Sequence, residues 1–343
     1  LRKVGWDSRS FPIEFPLTGP MSDTTLDRYR GGILGLALGD ALAAPSNRST
    51  LSRLRRSALP RSITPERRWT AETRMALDLI GSLVTRRQLD QDDLADRFAR
   101  NHRPDRGYSP RTAVVLKRIR SGWSWRVGLA PPKPEPPEWD SGVSCAVIAG
   151  LFRPDDRDAL DDVSRGVALV LDADPISQES AVITARAIAT AVRGGGAAEI
   201  FRAVEARARF ASTLQPTADQ PITPGSSAIA GTAICAPPAT AGEASALDSC
   251  VTALSVALAH LDAPFEDLVR TAVAIGGEVQ RTAALAGAVW GTVRGLSALP
   301  ADELDALESR YDIECAARDL FDMASIGRCP TTPRPAFDIR ESC

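Results

Sequence analysis

The sequence is poor in the residues on which several chemistries depend. Histidine occurs twice in 343 residues, as His102 and His260, so a histidine-dependent nucleophilic triad is not expected and each ring reads as structural or solvated. The six cysteines (Cys145, Cys235, Cys250, Cys315, Cys329, Cys343) are far apart, with no C-x-x-C pair and no neighbouring histidine to complete a zinc site. They read as reduced, mostly buried small hydrophobes, the pattern expected of a cytoplasmic protein. Charge imbalance is also missing: 41 basic against 43 acidic residues, interspersed, leave no footprint for nucleic acid and no polybasic face for a membrane. No run of 18 uninterrupted apolar residues is present, and residues 1–20 lack the apolar stretch of a signal peptide. Aromatics make up 5%, and alternating β-branched runs are nearly absent, which argues against a sheet-built fold. Self-similarity at a period of about 30 to 45 residues is lacking, so a solenoid is not expected.

What is present is alanine and a recurrent 3.6-residue apolar period. The fold class expected is all-α, a compact bundle of many helices, with segments starting at Leu26, Thr70, Asp92, Pro110, Ser180, Ala198, Leu247, Pro264, Glu278 and Ala301. Breakers separate them: SNRSTLSRLRRS (46–57) with SITPERR (62–68), the proline-rich 131–142, and the Pro/Ala/Ser/Thr/Gly-rich 215–243. Met21 reads as a start. The expected organisation is an N-terminal extension over 1–24 without order, one helical domain over 25–325, and a C-terminal tail over 326–343. Two helices carry small-residue stripes at four-residue spacing: Gly31, Gly35 and Gly39 in one, Ala283, Gly287, Gly291 and Gly295 in the other. A glycine inside a helix costs about 1 kcal/mol against alanine. Close approach of two central helices is the expected compensation.

Three polar clusters stand at the ends of these helices. Asp40 and Asn47 follow the first stripe; Thr70, Ala71, Glu72 and Thr73 open the helix WTAETRMALDLIGSLV; Gly277, Glu278, Gln280 and Arg281 open the late helix within GGEVQRT. A helix N-terminus presents unpaired N–H donors and the positive end of a dipole, so such a turn can hold a metal through its acids, bind an anion, or serve as a cap. Thr70 suits an N-cap and Glu72 a first-turn acid.

Taken in order, the clusters resemble the ADP-ribosylglycohydrolase family, of the dinitrogenase-reductase-activating glycohydrolase type. DRYRGGILGLALGDALAAP is similar to that family's opening helix, RRWTAETRMALDLIGSL to its T-D-D-T helix, and AIGGEVQRTAALAGAVWGTVRGLSALP to its G-G-D-T-D-T helix, the likeness running from about Arg28 to Leu320. The resemblance implies a many-helix bundle that hydrolyses ADP-ribose linkages with two Mg ions, in some members Mn. It also implies departures where the metals would sit. The acids of T-D-D-T fall on Ala71 and Glu72; G-G-D-T-D-T falls on Gly276, Gly277, Glu278, Val279, Gln280 and Arg281; the acid after the first helix falls on Asn47. The stretch that shapes the ribose pocket falls on Gly142–Ile148, and a Thr-His pair on Asp172 and Ala173.

Two divalent ions need compensation by hard, mostly anionic oxygen ligands. Glu72 and Glu278, with Asp40 if it points inward, supply too little, and Arg281 opposes them. The expectation is that the Mg/Mn site is lost, with no metal and no cofactor. Arg281 is expected to pair with Glu72 or Glu278, or to meet a ligand phosphate. Three readings follow: an enzyme repurposed for a small biosynthetic or phosphate-bearing substrate, with Glu72 and Glu278 as acid and base, Arg281 as anion stabiliser, and Asp40, Asn47, Thr70, Thr73, Gly277 and Gln280 lining the substrate; a pseudoenzyme binding an ADP-ribose-like ligand; or a scaffold, as in the lens crystallins of this family. The first two place a small-molecule ligand in a central cleft, which the scaffold reading expects to be filled by apolar side chains. LDQDDLADRF contains D-x-D-D and D-D-x-x-D patterns also found in terpene cyclases, and reads here as a solvated helix start.

Overall fold

The computed structural model describes residues 23–44, 66–128, 142–212 and 246–326. Among these the only extended pairing is an isolated bridge between Arg67 and Leu307. The helices are α1 (Asp23–Ala43), α2 (Ala71–Arg86), α3 (Gln91–Asn101), α4 (Pro110–Arg120), α5 (Trp125–Gly128), α6 (Gly142–Phe152), α7 (Arg157–Leu169), α8 (Pro175–Val192), α9 (Ala197–Ser212), α10 (Ala246–Ala259), α11 (Phe265–Ile275), α12 (Val279–Arg294), α13 (Ala301–Asp305) and α14 (Arg310–Ile326).

The two small-residue stripes meet. A Cβ added at Gly31 would lie 2.2 Å from the Gly291 carbonyl oxygen, one at Gly35 2.3 Å from that of Gly287, and one at Gly39 2.2 Å from that of Ala283. The pairing runs antiparallel, with backbone touching backbone, and α1 against α12 is the most extensive helix contact among the described residues. Around this pair, α14 and α2 pack on α1, while α6, α7, α9 and α10 pack on α8. Phe265 and Trp290 meet edge to face at 5.3 Å, and the buried Tyr29 hydroxyl donates to the Leu151 carbonyl at 2.6 Å.

Several boundaries correct the sequence expectation. The first helix starts at Asp23, so Asp23 and Thr24 are helical and not part of an unordered extension. The helix placed at Ser180 starts at Pro175, because Asp174 caps it by accepting from Ser177 N and proline suits the first turn. Helices α5, α6, α7 and α14 are not among the expected segments. Every residue of α6 is buried, so its sequence has no polar face to produce a period. Helix α7 does carry a face and an Asp156 cap, so its start is legible in the sequence.

Candidate functional site

The paired stripes form a backbone zipper that sets Gly39 against Ala283 near the start of α12, and Asp40, next along α1, is sealed from solvent. Asp40 is 0% exposed and accepts four hydrogen bonds from the first turn of α2: Thr70 N (2.7 Å) and Thr73 N (3.2 Å) to Oδ2, Thr70 Oγ1 (2.6 Å) to Oδ1, and Thr73 Oγ1 (2.6 Å) to Oδ2. The expectation that Thr70 caps its own helix is therefore corrected. Thr70 occupies the N-cap position, but its hydroxyl makes no cap bond and donates instead to Asp40, whose carboxylate caps α2 from another helix. Burial pushes the Asp40 carboxyl up to about 6; the two threonines oppose the rise and Glu72 adds to it.

Across this turn stands Arg281, in the first turn of α12. A cation there is disfavoured by the helix dipole. Two carboxylates offset that: Arg281 Nε donates to Glu72 Oε1 at 2.8 Å and Nη1 to Glu278 Oε2 at 2.9 Å. The side chains of Arg281 and Glu72 are 8% and 4% exposed, whereas that of Glu278 is 52% exposed. One guanidinium thus joins a sealed carboxylate to one at the surface.

The other candidates fall less centrally. Ala71 is buried and offers only a methyl group. Gln280 is half-buried. Gly277 is exposed with φ of 65°, and a side chain there would meet open space. Asn47 lies outside the described residues. Asp172, at the family's Thr-His position, is engaged by Arg111 at 2.9 Å and Ser177 at 2.7 Å. Among the described residues no group of three or more His, Cys, Asp or Glu side chains could hold a metal ion. An open groove of about 780 Å³ is lined by His260, Thr271, Arg270 and Ile275 among others, and includes none of the site residues.

Three of the four acids of LDQDDLADRF are engaged structurally. Asp90 caps α3; Asp92 accepts from Trp125 Nε1 and Arg126; Asp93 accepts from Ser82, Arg86 and Arg97. His260 bridges Val256 O and Thr271 Oγ1, as a structural histidine would.

Residues around Trp69 escaped the sequence reading. Arg106 stacks on the Trp69 ring at 4.0 Å, grips Glu308 with two bonds of 2.6 Å, and lies within electrostatic reach of Asp40. Only the aromatic beside the helix start could have hinted at this, since the partners are remote in sequence.

This arrangement of helices and polar turns defines a class. The chain belongs to the ADP-ribosylglycohydrolase family, whose model matches residues 21–328. Among curated proteins it is similar to ADP-ribosylhydrolase ARH3 from Homo sapiens, 32% identical over 109 residues, a match covering 28% of this chain and 30% of that protein. Among solved structures it is similar to one described as an ADP-ribosylglycohydrolase-related protein complex, with a TM-score of 0.61 and 23% identity, covering 88% of this chain and 100% of the other. At that identity the likeness bears on the fold.

Proposed function

We propose that this chain is a metal-independent enzyme on the ADP-ribosylglycohydrolase fold, acting on a small phosphate-bearing substrate at the meeting of α1, α2 and α12. The observation that carries the reading is the bridge from Arg281 to Glu72 and Glu278. The residues present do not fit a dimetal centre, because a permanent cation sits within hydrogen-bond distance of both carboxylates that would have to ligate it. Arg281 instead supplies the positive charge of the site. Glu72, buried, is the fixed member of the acid–base pair, and Glu278, at the surface, is the member that reaches substrate and moves the proton. The N-terminus of α12 suits a phosphate, that of α2 being capped by Asp40, and the relative named an ADP-ribosylhydrolase makes ADP-ribose conjugates the first substrates to try.

A second reading, ligand binding without turnover, is favoured by the engagement of both carboxylates by the same guanidinium. One set of measurements separates the two. Purified protein is assayed with EDTA or Mg against ADP-ribosyl-arginine, O-acetyl-ADP-ribose and a panel of phosphate-bearing metabolites. The expected outcome is turnover of a panel member in EDTA, little or none of the two ADP-ribose conjugates, and loss of turnover with retained binding in Glu278→Gln. Binding without turnover in the native chain selects the second reading. A melting temperature that rises with sub-millimolar Mg, together with Mg-dependent hydrolysis, would overturn the metal-free site.

A further inference from the structure

We infer that Arg106, Trp69 and Glu308 are positioning residues of the candidate site, holding the segment that delivers Thr70 and Glu72; the inference rests on the reading of Glu72, Glu278 and Arg281 as that site. Residues 66–69 lead into α2 from outside the helix, yet Thr70 and Glu72 must meet Asp40 on α1 and Arg281 on α12. The segment is held instead by partners remote in sequence. Arg67 N donates to the Ala306 carbonyl at 2.7 Å, and Glu308 N donates to the Arg67 carbonyl at 3.1 Å, a single rung of parallel pairing. The Arg67 guanidinium, 2% exposed, donates to both oxygens of Glu303 at 2.6 and 3.2 Å.

Trp69 is tied from three sides. Its indole N–H donates to the Glu308 carbonyl at 3.0 Å, its own carbonyl accepts from Arg106 Nη1 at 2.8 Å, and the Arg106 guanidinium lies over its ring at 4.0 Å. Arg106 is itself oriented by the Glu308 carboxylate through two bonds of 2.6 Å. A planar fork suits this arrangement because it can stack, grip a carboxylate with two N–H groups and cap a carbonyl at once, which an ammonium cannot. The next residue along the chain is Thr70, whose N–H and hydroxyl both donate to Asp40. Two residues on is Glu72, gripped by Arg281. The clamp therefore sets where the first turn of α2 enters the site while Arg106, Trp69 and Glu308 stand apart from the Glu72–Arg281–Glu278 bridge.

Hydrogen exchange over residues 70–73 tests this without knowledge of the substrate, because the Thr70 and Thr73 amides report the contact with Asp40. Arg106→Lys keeps the charge and loses the fork; Trp69→Phe keeps a ring and loses the indole donor. Arg186→Lys serves as the control, since it breaks a comparable bidentate pair, Arg186 with Asp161 at 2.9 and 2.6 Å, that involves none of the site residues. Exchange over 70–73 is expected to accelerate roughly tenfold in Arg106→Lys and Trp69→Phe and to stay at the native rate in Arg186→Lys, compared at equal distance below each melting temperature. Equal exchange over 70–73 in Arg106→Lys and Arg186→Lys would overturn the inference. Should Arg106→Lys not fold, native exchange in Trp69→Phe would do the same. Titration with ADP-ribose and with the panel of phosphate-bearing metabolites separates the two layers: a native chain that binds none of them while exchange loosens as stated leaves the positioning intact and removes the functional reading of the site.

Discussion

Arg281 makes two ion pairs of nearly equal length, and burial makes them unequal in energy. Glu72 is sealed beside it, so removing the guanidinium leaves a carboxylate out of water with its main counter-charge gone. Glu278 faces solvent, where an ion pair is screened and contributes little. Arg281→Ala is therefore expected to cost about 3–5 kcal/mol, whereas Glu278→Gln should change stability by less than about 1 kcal/mol. Urea unfolding at neutral pH measures both, and equal midpoints for the two variants would refute the assignment of Glu72 as the buried partner. At this scale the sequence supplied residue types more readily than partners. That Arg281 would meet an acid followed from charge and helix position, but the acid it grips in the core is 209 residues away. Thr70 shows the same limit: its type suited a cap, and only the arrival of Asp40 from α1 redirected its hydroxyl.

Helices α1 and α12 were readable as elements and even as a pair. Spacing of small residues by four marks one face of a helix, and two such faces of equal period are natural partners. The consequence is quantitative. A methyl group at Gly35 would have to displace the Gly287 carbonyl, with 2.3 Å available, so Gly35→Ala is expected to cost about 3 kcal/mol, at the upper end for overpacking. Gly107 is the comparison: its φ of 72° strains an alanine, but nothing lies within 4 Å, so Gly107→Ala should cost about 1 kcal/mol. Calorimetric melting of the two variants decides it; similar shifts would mean the zipper yields. Helix α6 was illegible for the opposite reason. A helix buried on every side has no polar stripe, and periodicity detects only contrast.

For the molecule as a whole, two sealed carboxylates set a pH dependence. Asp40, 0% exposed, and Asp78, 4% exposed, are both raised by burial from 3.8 to about 6, against hydrogen bonds from Thr70 and Thr73 in one case and against Arg74 and Asn101 in the other. A group raised in the folded state binds its proton more tightly there than in the unfolded chain, so stability is greatest below pH 4 for that group and falls as pH climbs to about 6. Each carboxylate should contribute a loss on the order of 2–3 kcal/mol across that window. Urea midpoints between pH 4 and pH 7 are expected to fall in the native chain and to fall less in Asp78→Asn. A native profile rising steadily over that range would contradict the burial of both.

What the sequence determined by itself was the helical class, the central pair of helices and the polar turns at their ends, because period, glycine spacing and helix-start chemistry are local properties written in consecutive residues. Only the tertiary structure decided which side chains are sealed and which face water, that a carboxylate from α1 caps α2, and that Glu308 and Arg106 clamp Trp69. These depend on desolvation and on contacts between residues far apart in the chain, and the energy of a charge is set by the surroundings that folding assembles around it.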